Sequence, residues 1–378
     1  MSVNIPAMFY RPTQVAVDLQ ALRQNAAAIA KLHPDVQLCA VVKADAYGHG
    51  SVEIARTLAD AGVAWLAVAL VEEGIRLREA GIDLPILVLG ALVNEAAEAL
   101  VKFKLIPTVF EVEQLEALSK AAGSSSLKLH LKVDTGMSRL GVQPEQLGAF
   151  LQELKNHPNL VLDGVMTHLQ NADLEDTPRN QAQIEAFENA LSQVKSAGFS
   201  PQHRHLSNSA ATLTLENTSQ NLLRPGLVMY GLSPMQTNVP KALTPLMRWT
   251  TRPLQIKEIA AGERVSYGGH FVAKRATKIA VLPVGYADGY RRSFEGKADV
   301  LIQGRRAPIV GSICMDLCMV DVTDFENITQ QDEVVLMGSQ GTECITTYDL
   351  AQWAGTIAYE ITCGISDRVP RQYTGAPS

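Results

Sequence analysis

The stretch CAVVKADAYGHG places a lysine, Lys43, directly after an apolar run. The apolar residues predict a buried strand, and Asp45, Tyr47 and the glycines that follow predict a turn. A buried ammonium is costly to desolvate, so Lys43 must reach water, pair with an anion or lose its charge through chemistry. For an isolated lysine, a surface position with a buried stem is the simpler interpretation.

A second stretch, LKLHLKVDTGMSRLG, alternates leucines with the polar residues Lys128, His130, Lys132 and Asp134. A period of two places this polar set on the opposite face of a strand from the leucines. In a barrel that face points inward or lies near the mouth. Lys132 there needs an acidic partner or a covalent change of charge, whereas Asp134 suits an ordinary salt bridge with Arg139.

Further polar residues follow the later strand candidates LDGVMTHL and HRHLSNS and the segment LLRPGLVMYG. They are His168, Asn208, Ser209, Arg224, Gly226 and Leu227. In barrels, loops after the seventh and eighth strands commonly bind a phosphate through amides and hydroxyls, which suits Ser209, Gly226 and Leu227. Together with an arginine and a strand-end lysine, this set describes a pyridoxal phosphate site. The lysine would form a Schiff base there, and the arginine would face the ring nitrogen.

Residues 14–231 alternate short apolar strands with amphipathic helices, which predicts a parallel sheet. Eight strand–helix units favour a (β/α)8 barrel over an open sheet, with chemistry at the carboxyl ends of the strands. The strand candidates span residues 14–19, 36–43, 65–70, 86–90, 106–110, 127–134, 162–169 and 203–209.

From about Leu246 the sequence is rich in β-type segments that glycine turns separate. The predicted fold class is therefore α/β, with an N-terminal (β/α)8 barrel at residues 12–240 and a C-terminal mainly β domain at residues 241–378. We expect residues 1–11 to pack on the second domain.

Composition limits the function classes. A net charge of −6 and the lack of a basic stripe argue against nucleic acid as a partner. Five scattered cysteines do not resemble a disulfide framework and favour a reducing cytoplasm. The amino end lacks the features of a signal peptide, no apolar run is long enough to predict a membrane span, and no metal site is expected.

The sequence resembles alanine racemase, a fold-type III pyridoxal phosphate family, from near Thr13 to Tyr373. The stretches that carry the resemblance are AVVKADAYGHG, LKVDTGMSRLG, HLSNS, LRPGLVMYG, VSYGG, VGYADGY, CMD and RVPR. Eight ordered motifs are hard to obtain by chance. The resemblance implies a cytoplasmic homodimer with shared active sites. It also implies pyridoxal 5′-phosphate as the cofactor and racemisation of L- and D-alanine, with D-alanine supplied for peptidoglycan.

The resemblance also implies roles for individual residues. Lys43 would hold the cofactor and act as one catalytic base. Tyr267, of VSYGG, would be the second base on the opposite face and would come from the partner subunit, with His168 beside it. The implied cofactor contacts are Lys43, Tyr47, His168, His205, Asn208, Ser209, Arg224, Gly226 and Leu227.

Arg139 would contact the cofactor and the substrate carboxylate. Met315 and Asp316 would close the substrate pocket from the other subunit, and Tyr286 would line the access corridor. Lys132 matches a lysine that the family carbamylates, which would turn its cation into an anion that pairs with Arg139.

Two positions depart from the family pattern. Asp367 stands before the arginine of RVPR, where the family usually carries a tyrosine that helps to bind phosphate. A shorter polar residue there favours one alternative, a broader racemase that also accepts serine. Ser312 stands where many members carry arginine, which implies a less basic corridor.

A second alternative is a single-barrel protein that binds pyridoxal phosphate without catalysis. Such proteins lack a β domain, so the presence of Tyr267 and Asp316 in a C-terminal β domain argues against it.

Overall fold

A computed structural model describes residues 10–90, 93–174, 177–215, 219–235 and 242–375. The chain forms two compact units. The barrel unit spans Gln20–Pro245, and the β unit combines the described residues up to Leu19 with those from Leu246 onward.

The barrel unit contains eight parallel strands in one nearly closed sheet. They are Gln37–Val41, Trp65–Val68, Ile86–Val88, Ile106–Val109, Leu127–Lys132, Leu160–Met166, His203–His205 and Leu222–Leu223. The last strand pairs with the first. At the remaining seam, the Asn221 amide donates to the Arg204 carbonyl at 3.0 Å. The predicted (β/α)8 barrel is confirmed.

One strand was wrongly assigned to the barrel. Gln14–Asp18, expected to open the barrel, pairs instead with Met247–Thr251 and Arg371–Thr374 in the β unit. Its buried Val15 and Val17 alternate with more exposed residues, a pattern that suits any sheet with one packed face. The barrel strand that takes its place is Leu222–Leu223, which is too short to show a period of two.

Helices separate the barrel strands and bury apolar faces against them. In the helix Ser51–Asp60, for example, Ile54 and Leu58 are fully buried. The helices of this part of the chain are Leu19–Leu32, Ser51–Asp60, Val71–Glu79, Ala97–Lys102, Val112–Ala122, Leu147–Lys155, Thr177–Ser196 and Ser209–Thr214.

The β unit is mainly strand, as expected. Its largest sheet contains Gln14–Asp18, Met247–Thr251, Asp299–Ile302, Arg305–Pro308, Val334–Gln340, Glu343–Ile345 and Arg371–Thr374. Smaller sheets contain Gln255–Ile259, Thr277–Leu282 and Cys318–Asp321, and Arg264–Val265 with Phe271–Val272. Two helices, Thr347–Ala354 and Ala358–Cys363, complete the unit.

The expected packing of residues 1–11 on the second domain falls mostly on residues 1–9, which lie outside the described residues. Arg11 is described, and its guanidinium pairs with the buried carboxylate of Asp288 at 2.9 and 2.8 Å.

All five cysteines are free, in agreement with their scatter in the sequence. Among the described residues, none of the helices combines the length and the apolarity that crossing a membrane requires. The same residues contain no cluster of potential metal ligands.

Candidate active site

Lys43 begins a turn at the carboxyl end of the barrel strand Gln37–Val41. The next four residues have left-handed backbone, with φ between 51° and 55°, although none is glycine: Ala44, Asp45, Ala46 and Tyr47. Glu73 holds this turn, because its carboxylate accepts from the Ala44 amide at 2.6 Å and from the Ala69 amide at 2.8 Å. The strained turn therefore fixes the direction in which Lys43 leaves the strand.

Tyr47, Ser209 and Gly226 meet at one place and form what we call the hydroxyl cradle. The Gly226 amide donates to Ser209 Oγ at 2.9 Å. A Cβ atom on Gly226 would collide with the Tyr47 hydroxyl and would lie 3.6 Å from Ser209 Oγ. Only glycine therefore lets one amide and two hydroxyls converge, and amides and hydroxyls are the groups that proteins use to bind phosphate.

Tyr47 is itself held by Tyr230. The two rings lie 5.0 Å apart, and the Tyr230 hydroxyl donates to the Val41 carbonyl at 2.9 Å. Leu227, the other predicted phosphate contact, is buried at the start of the short 3₁₀ helix Leu227–Tyr230. The cradle is thus anchored to the strand that precedes Lys43.

Asn208 caps the helix Ser209–Thr214. Its Oδ1 accepts from the Ala211 amide at 3.0 Å, and its Nδ2 donates to the Leu169 carbonyl at 3.2 Å. The side chain therefore places Ser209 at the start of the helix. A direct contact from Asn208 to a cofactor stays a prediction.

Arg224 is buried beside His205. Its Nη1 donates to His205 Nδ1 at 2.8 Å, and its Nη2 donates to the Thr167 carbonyl at 2.8 Å. Burial lowers the pKa of Arg224 to about 10, and within the described ranges no carboxylate offsets its charge. A buried guanidinium without an anion is costly, so the site suits a ligand that offers a further acceptor.

The positive charges of the barrel unit lower the pKa values of neighbouring basic residues. Burial, together with the charges of Arg224, Arg139 and Lys43, lowers the pKa of Lys132 to about 8. Burial and the same charges hold the pKa of His168 well below its ordinary value. The structure therefore brings together five of the residues predicted from the sequence.

The expected salt bridge between Asp134 and Arg139 does not form in the described part of the chain. Asp134 Oδ1 instead accepts from the Gly136 and Ser138 amides at 3.0 and 3.1 Å. The carboxylate closes its own turn, and the guanidinium of Arg139 lies in an exposed position.

Tyr267 lies in the β unit with 74% of its surface exposed. Its segment is nevertheless tied to Ser312 by two hydrogen bonds, which we call the serine clamp. Ser266 Oγ donates to the Ser312 carbonyl at 2.6 Å, and Ser312 Oγ donates to the Tyr267 carbonyl at 2.9 Å. Ser312 is buried, and the less basic corridor that a serine at this position implies stays a prediction.

The other predicted residues of the β unit lie on exposed loops. Tyr286 and Met315 are on adjoining loops, where the Tyr286 amide donates to the Cys314 carbonyl at 3.1 Å. Asp316 accepts from Arg368 Nη2 at 2.6 Å, and Asp367 is exposed.

Sequence reasoning missed two buried residues behind His205. His130 was noted only for its place in an alternating strand, and Asp163 was not singled out. His130 Nδ1 lies 2.8 Å from His205 Nε2, and His130 Nε2 lies 3.9 Å from Asp163. The available signal was an aspartate followed by a glycine inside the apolar strand LVLDGVM.

Comparison with known proteins gives consistent results over almost the whole chain. The family model "Alanine racemase, N-terminal domain" matches residues 17–234, and "Alanine racemase, C-terminal domain" matches residues 246–373. The alanine racemase of Halothermothrix orenii is 43% identical over 96% of this chain and 97% of that protein. The alanine racemase of Symbiobacterium thermophilum is 44% identical over 97% of this chain and 98% of that protein.

Solved structures agree. The alanine racemase of E. faecalis superposes with a TM-score of 0.92 at 36% identity, covering 99% of this chain and 100% of that chain. The alanine racemase of Bacillus anthracis, solved with bound L-Ala-P, has a TM-score of 0.92 at 39% identity, covering 97% and 96% of the two chains.

Proposed function

The chain belongs to the alanine racemase family, and we propose that it racemises alanine with two bases, Lys43 and Tyr267, on opposite faces of the substrate. Inverting a stereocentre requires removal of a proton on one side and its return on the other, which one fixed base cannot do alone. The observation that carries the proposal is that the turn bearing Lys43 also supplies Tyr47 to the hydroxyl cradle.

We propose pyridoxal 5′-phosphate as the cofactor, because the residues of the barrel fit it. The hydroxyl cradle would hold the phosphate, Arg224 would face the ring nitrogen, and the Lys43 amine would attach covalently. When bound, this cofactor spreads the negative charge that develops as the substrate loses its α-proton. Contacts from His168, His205, Asn208 and Leu227 rest on the family resemblance.

Arg224 would keep the ring nitrogen unprotonated, since a guanidinium donates hydrogen bonds and does not accept them. Arg139, which is exposed and has no salt bridge among the described residues, would bind the substrate carboxylate. Both arginines act by fixing the reacting group rather than by moving protons.

We propose a homodimer in which Tyr267 enters the barrel site of the second copy. A phenol that is three-quarters exposed cannot direct a proton to one face of a substrate unless another surface encloses it. The serine clamp supports this role, because the exposed side chain stands on a fixed backbone. Met315, Asp316 and Tyr286 would enter the same site as pocket and corridor walls, on the strength of the resemblance.

Lys132 is proposed to carry a carbamate. A pKa of about 8 leaves part of the amine neutral and able to react with carbon dioxide, and the product would be an anion among three cations. NMR with ¹³C-labelled bicarbonate should show one carbamate signal that Lys132→Arg removes and the control Lys128→Arg keeps. A signal that persists in Lys132→Arg would contradict the assignment.

Supply of D-alanine for peptidoglycan and a cytoplasmic location are proposed on the resemblance alone. The comparisons name alanine racemases throughout, and we therefore do not favour the serine alternative raised by Asp367.

The test of the shared two-base site is complementation. Lys43→Ala and Tyr267→Phe should each lose activity by about 10²-fold or more, the scale of a lost general base. After subunit exchange in a 1:1 mixture, half of the dimers are hybrids, and each hybrid has one site with both bases. Activity on L- and D-alanine should then recover to about a quarter of the parent value.

The control mixes Lys43→Ala with the double variant Lys43→Ala/Tyr267→Phe, which forms no complete site. Mass spectrometry must establish the hybrids. Hybrids without recovered activity would exclude the shared site, and a parent protein that does not racemise alanine would exclude the function.

A further inference from the structure

A chain of buried polar side chains runs through the barrel unit behind Arg224. Arg224 Nη1 contacts His205 Nδ1 at 2.8 Å, and His205 Nε2 contacts His130 Nδ1 at 2.8 Å. His130 Nε2 faces Asp163 Oδ2 at 3.9 Å, an electrostatic contact that is longer than a hydrogen bond. Both histidines are 0% exposed and Asp163 is 2% exposed. Such a chain is costly unless every member has a defined partner.

Only one arrangement of protons fits these contacts. A guanidinium can only donate, so His205 Nδ1 accepts and its proton lies on Nε2. That proton is donated to His130 Nδ1, which places the proton of His130 on Nε2, directed at the carboxylate of Asp163. Burial and the charge of Arg224 hold the pKa of His205 well below its ordinary value, and burial lowers the pKa of His130. Both rings are therefore neutral.

The backbone is shaped to deliver Asp163 to this chain. The neighbouring strands pair Leu129 with Leu162 but His130 with Gly164, so Asp163 is an extra residue in a β-bulge. A Cβ atom on Gly164 would lie 2.6 Å from atoms of the His130 ring. The bulge turns the carboxylate toward the imidazole, and the glycine leaves room for the ring.

Asp163 is anchored as an anion. Lys128 Nζ donates to its Oδ1 at 3.0 Å, and His203 Nε2 lies 3.8 Å from its Oδ2. Burial acts to raise the pKa of Asp163, but His130 and the Lys128 ammonium outweigh it and hold the pKa at about 2. Trp65 packs against the rings of both His130 and His203.

We propose that Asp163 is a positioning residue for racemisation, which fixes the tautomers of His130 and His205 and thereby the orientation of Arg224. The inference rests on the proposed function, in which Arg224 faces the cofactor. Without the carboxylate, His130 can carry its proton on Nδ1. His205 must then accept at Nε2 and protonate at Nδ1, where that N–H meets the N–H of Arg224 and displaces it.

The variant Asp163→Asn tests this directly. Lysine only donates, so Lys128 selects the amide oxygen and leaves the NH₂ group facing His130. Two donors then meet, and an amide in place of a carboxylate selects the wrong histidine tautomer. In ¹⁵N NMR of the histidine-labelled, full-length holoenzyme, both His130 and His205 should change from Nε2–H to Nδ1–H. We expect kcat to fall about tenfold with little change in KM for alanine, the scale of lost support behind a ligating histidine.

Two further variants distinguish a change of histidine tautomer from general damage to the fold. Lys128→Met keeps the carboxylate and should keep the parental tautomers. In Asp163→Asn/Lys128→Met the amide is free to turn its oxygen toward His130, so the parental tautomers and most of the lost kcat should return. A purely structural role of Asp163 would not give rescue by removal of its own salt-bridge partner.

Parental tautomers in Asp163→Asn would overturn the inference, as would Nδ1–H on His205 in the parent protein, which needs no variant to fold. Racemisation by the parent is scored separately. An active parent with unchanged tautomers in Asp163→Asn refutes the role of Asp163 alone. A parent that does not racemise alanine refutes the proposed function and, with it, any role of Asp163 in racemisation.

Discussion

The barrel unit and the β unit hold their candidate residues in opposite ways. In the barrel unit Arg224 and His205 are buried, and their side chains are bonded to each other. In the β unit the Tyr267 side chain is exposed, and only its backbone is fixed, by the serine clamp. Under the proposed function, the barrel unit would supply a finished binding site, whereas the β unit would supply a reactive group whose surroundings come from a second copy. Substitutions in the two units should therefore damage different steps.

The largest effect on the barrel side is expected from Gly226→Ala. The added Cβ displaces the Tyr47 hydroxyl and breaks the hydroxyl cradle. Loss of one hydrogen bond to a charged phosphate weakens cofactor retention by about 10–100-fold. Dissociation of the cofactor can be followed by its visible absorbance. Gly148→Ala is the matched control, because its Cβ meets no atom within 4 Å, and equal retention in the two variants would contradict the cradle.

Ser312→Ala should have a smaller effect, and it should act on kcat rather than on cofactor retention. Loss of this hydroxyl opens the serine clamp, which removes about 1 kcal/mol of support and should lower kcat about fivefold. Cofactor retention should not change. Hydrogen exchange at the Tyr267 and Gly268 amides should accelerate, whereas the exposed control Ser339→Ala should match the parent. Weaker cofactor retention with an unchanged kcat would reverse the contrast between the units.

The smallest effect concerns acid stability. Burial is the largest cause of the lowered pKa values of four barrel histidines: His130, His168, His203 and His205. Below about pH 6.5 the unfolded chain binds protons that the folded barrel unit does not, so the free energy of unfolding falls as pH decreases. Each kcal/mol lost lowers the Tm by about 2–4 °C.

Hydrogen exchange between pH 7.5 and 5.5 locates this effect. Protection should fall in the barrel unit, whereas the β unit contains a single histidine, His270, after Leu246. An equal loss of protection in both units would show that the buried histidines are not its cause.

The sequence predicted the fold where the signals were local. Seven of the barrel strands were recognised in the sequence, but Gln14–Asp18 was misplaced because its partner Arg371–Thr374 lies at the far end of the chain. Alternation shows that one face of a strand is buried and does not show which sheet buries it. Leu222–Leu223 has too few residues to show any period.

The candidate site likewise contains residues that the sequence revealed and one that it did not. Lys43, Arg224 and Gly226 were found because strand ends and glycine-containing loops are visible in sequence, and the structure brings Lys43 and Arg224 into one electrostatic group. Asp163 was missed because a β-bulge changes the face to which a side chain points, and no residue type in the sequence identifies a bulge.

The left-handed turn after Lys43 has a consequence for how the enzyme matures. Four consecutive non-glycine residues in this conformation each cost about 1–2 kcal/mol when no fold supports them. A nascent or partly collapsed chain will therefore leave the turn unmade until the helix that carries Glu73 has docked. Lys43 therefore gains its final direction late in folding, and the proposed cofactor would bind to a completed barrel rather than act as a template on which the barrel forms.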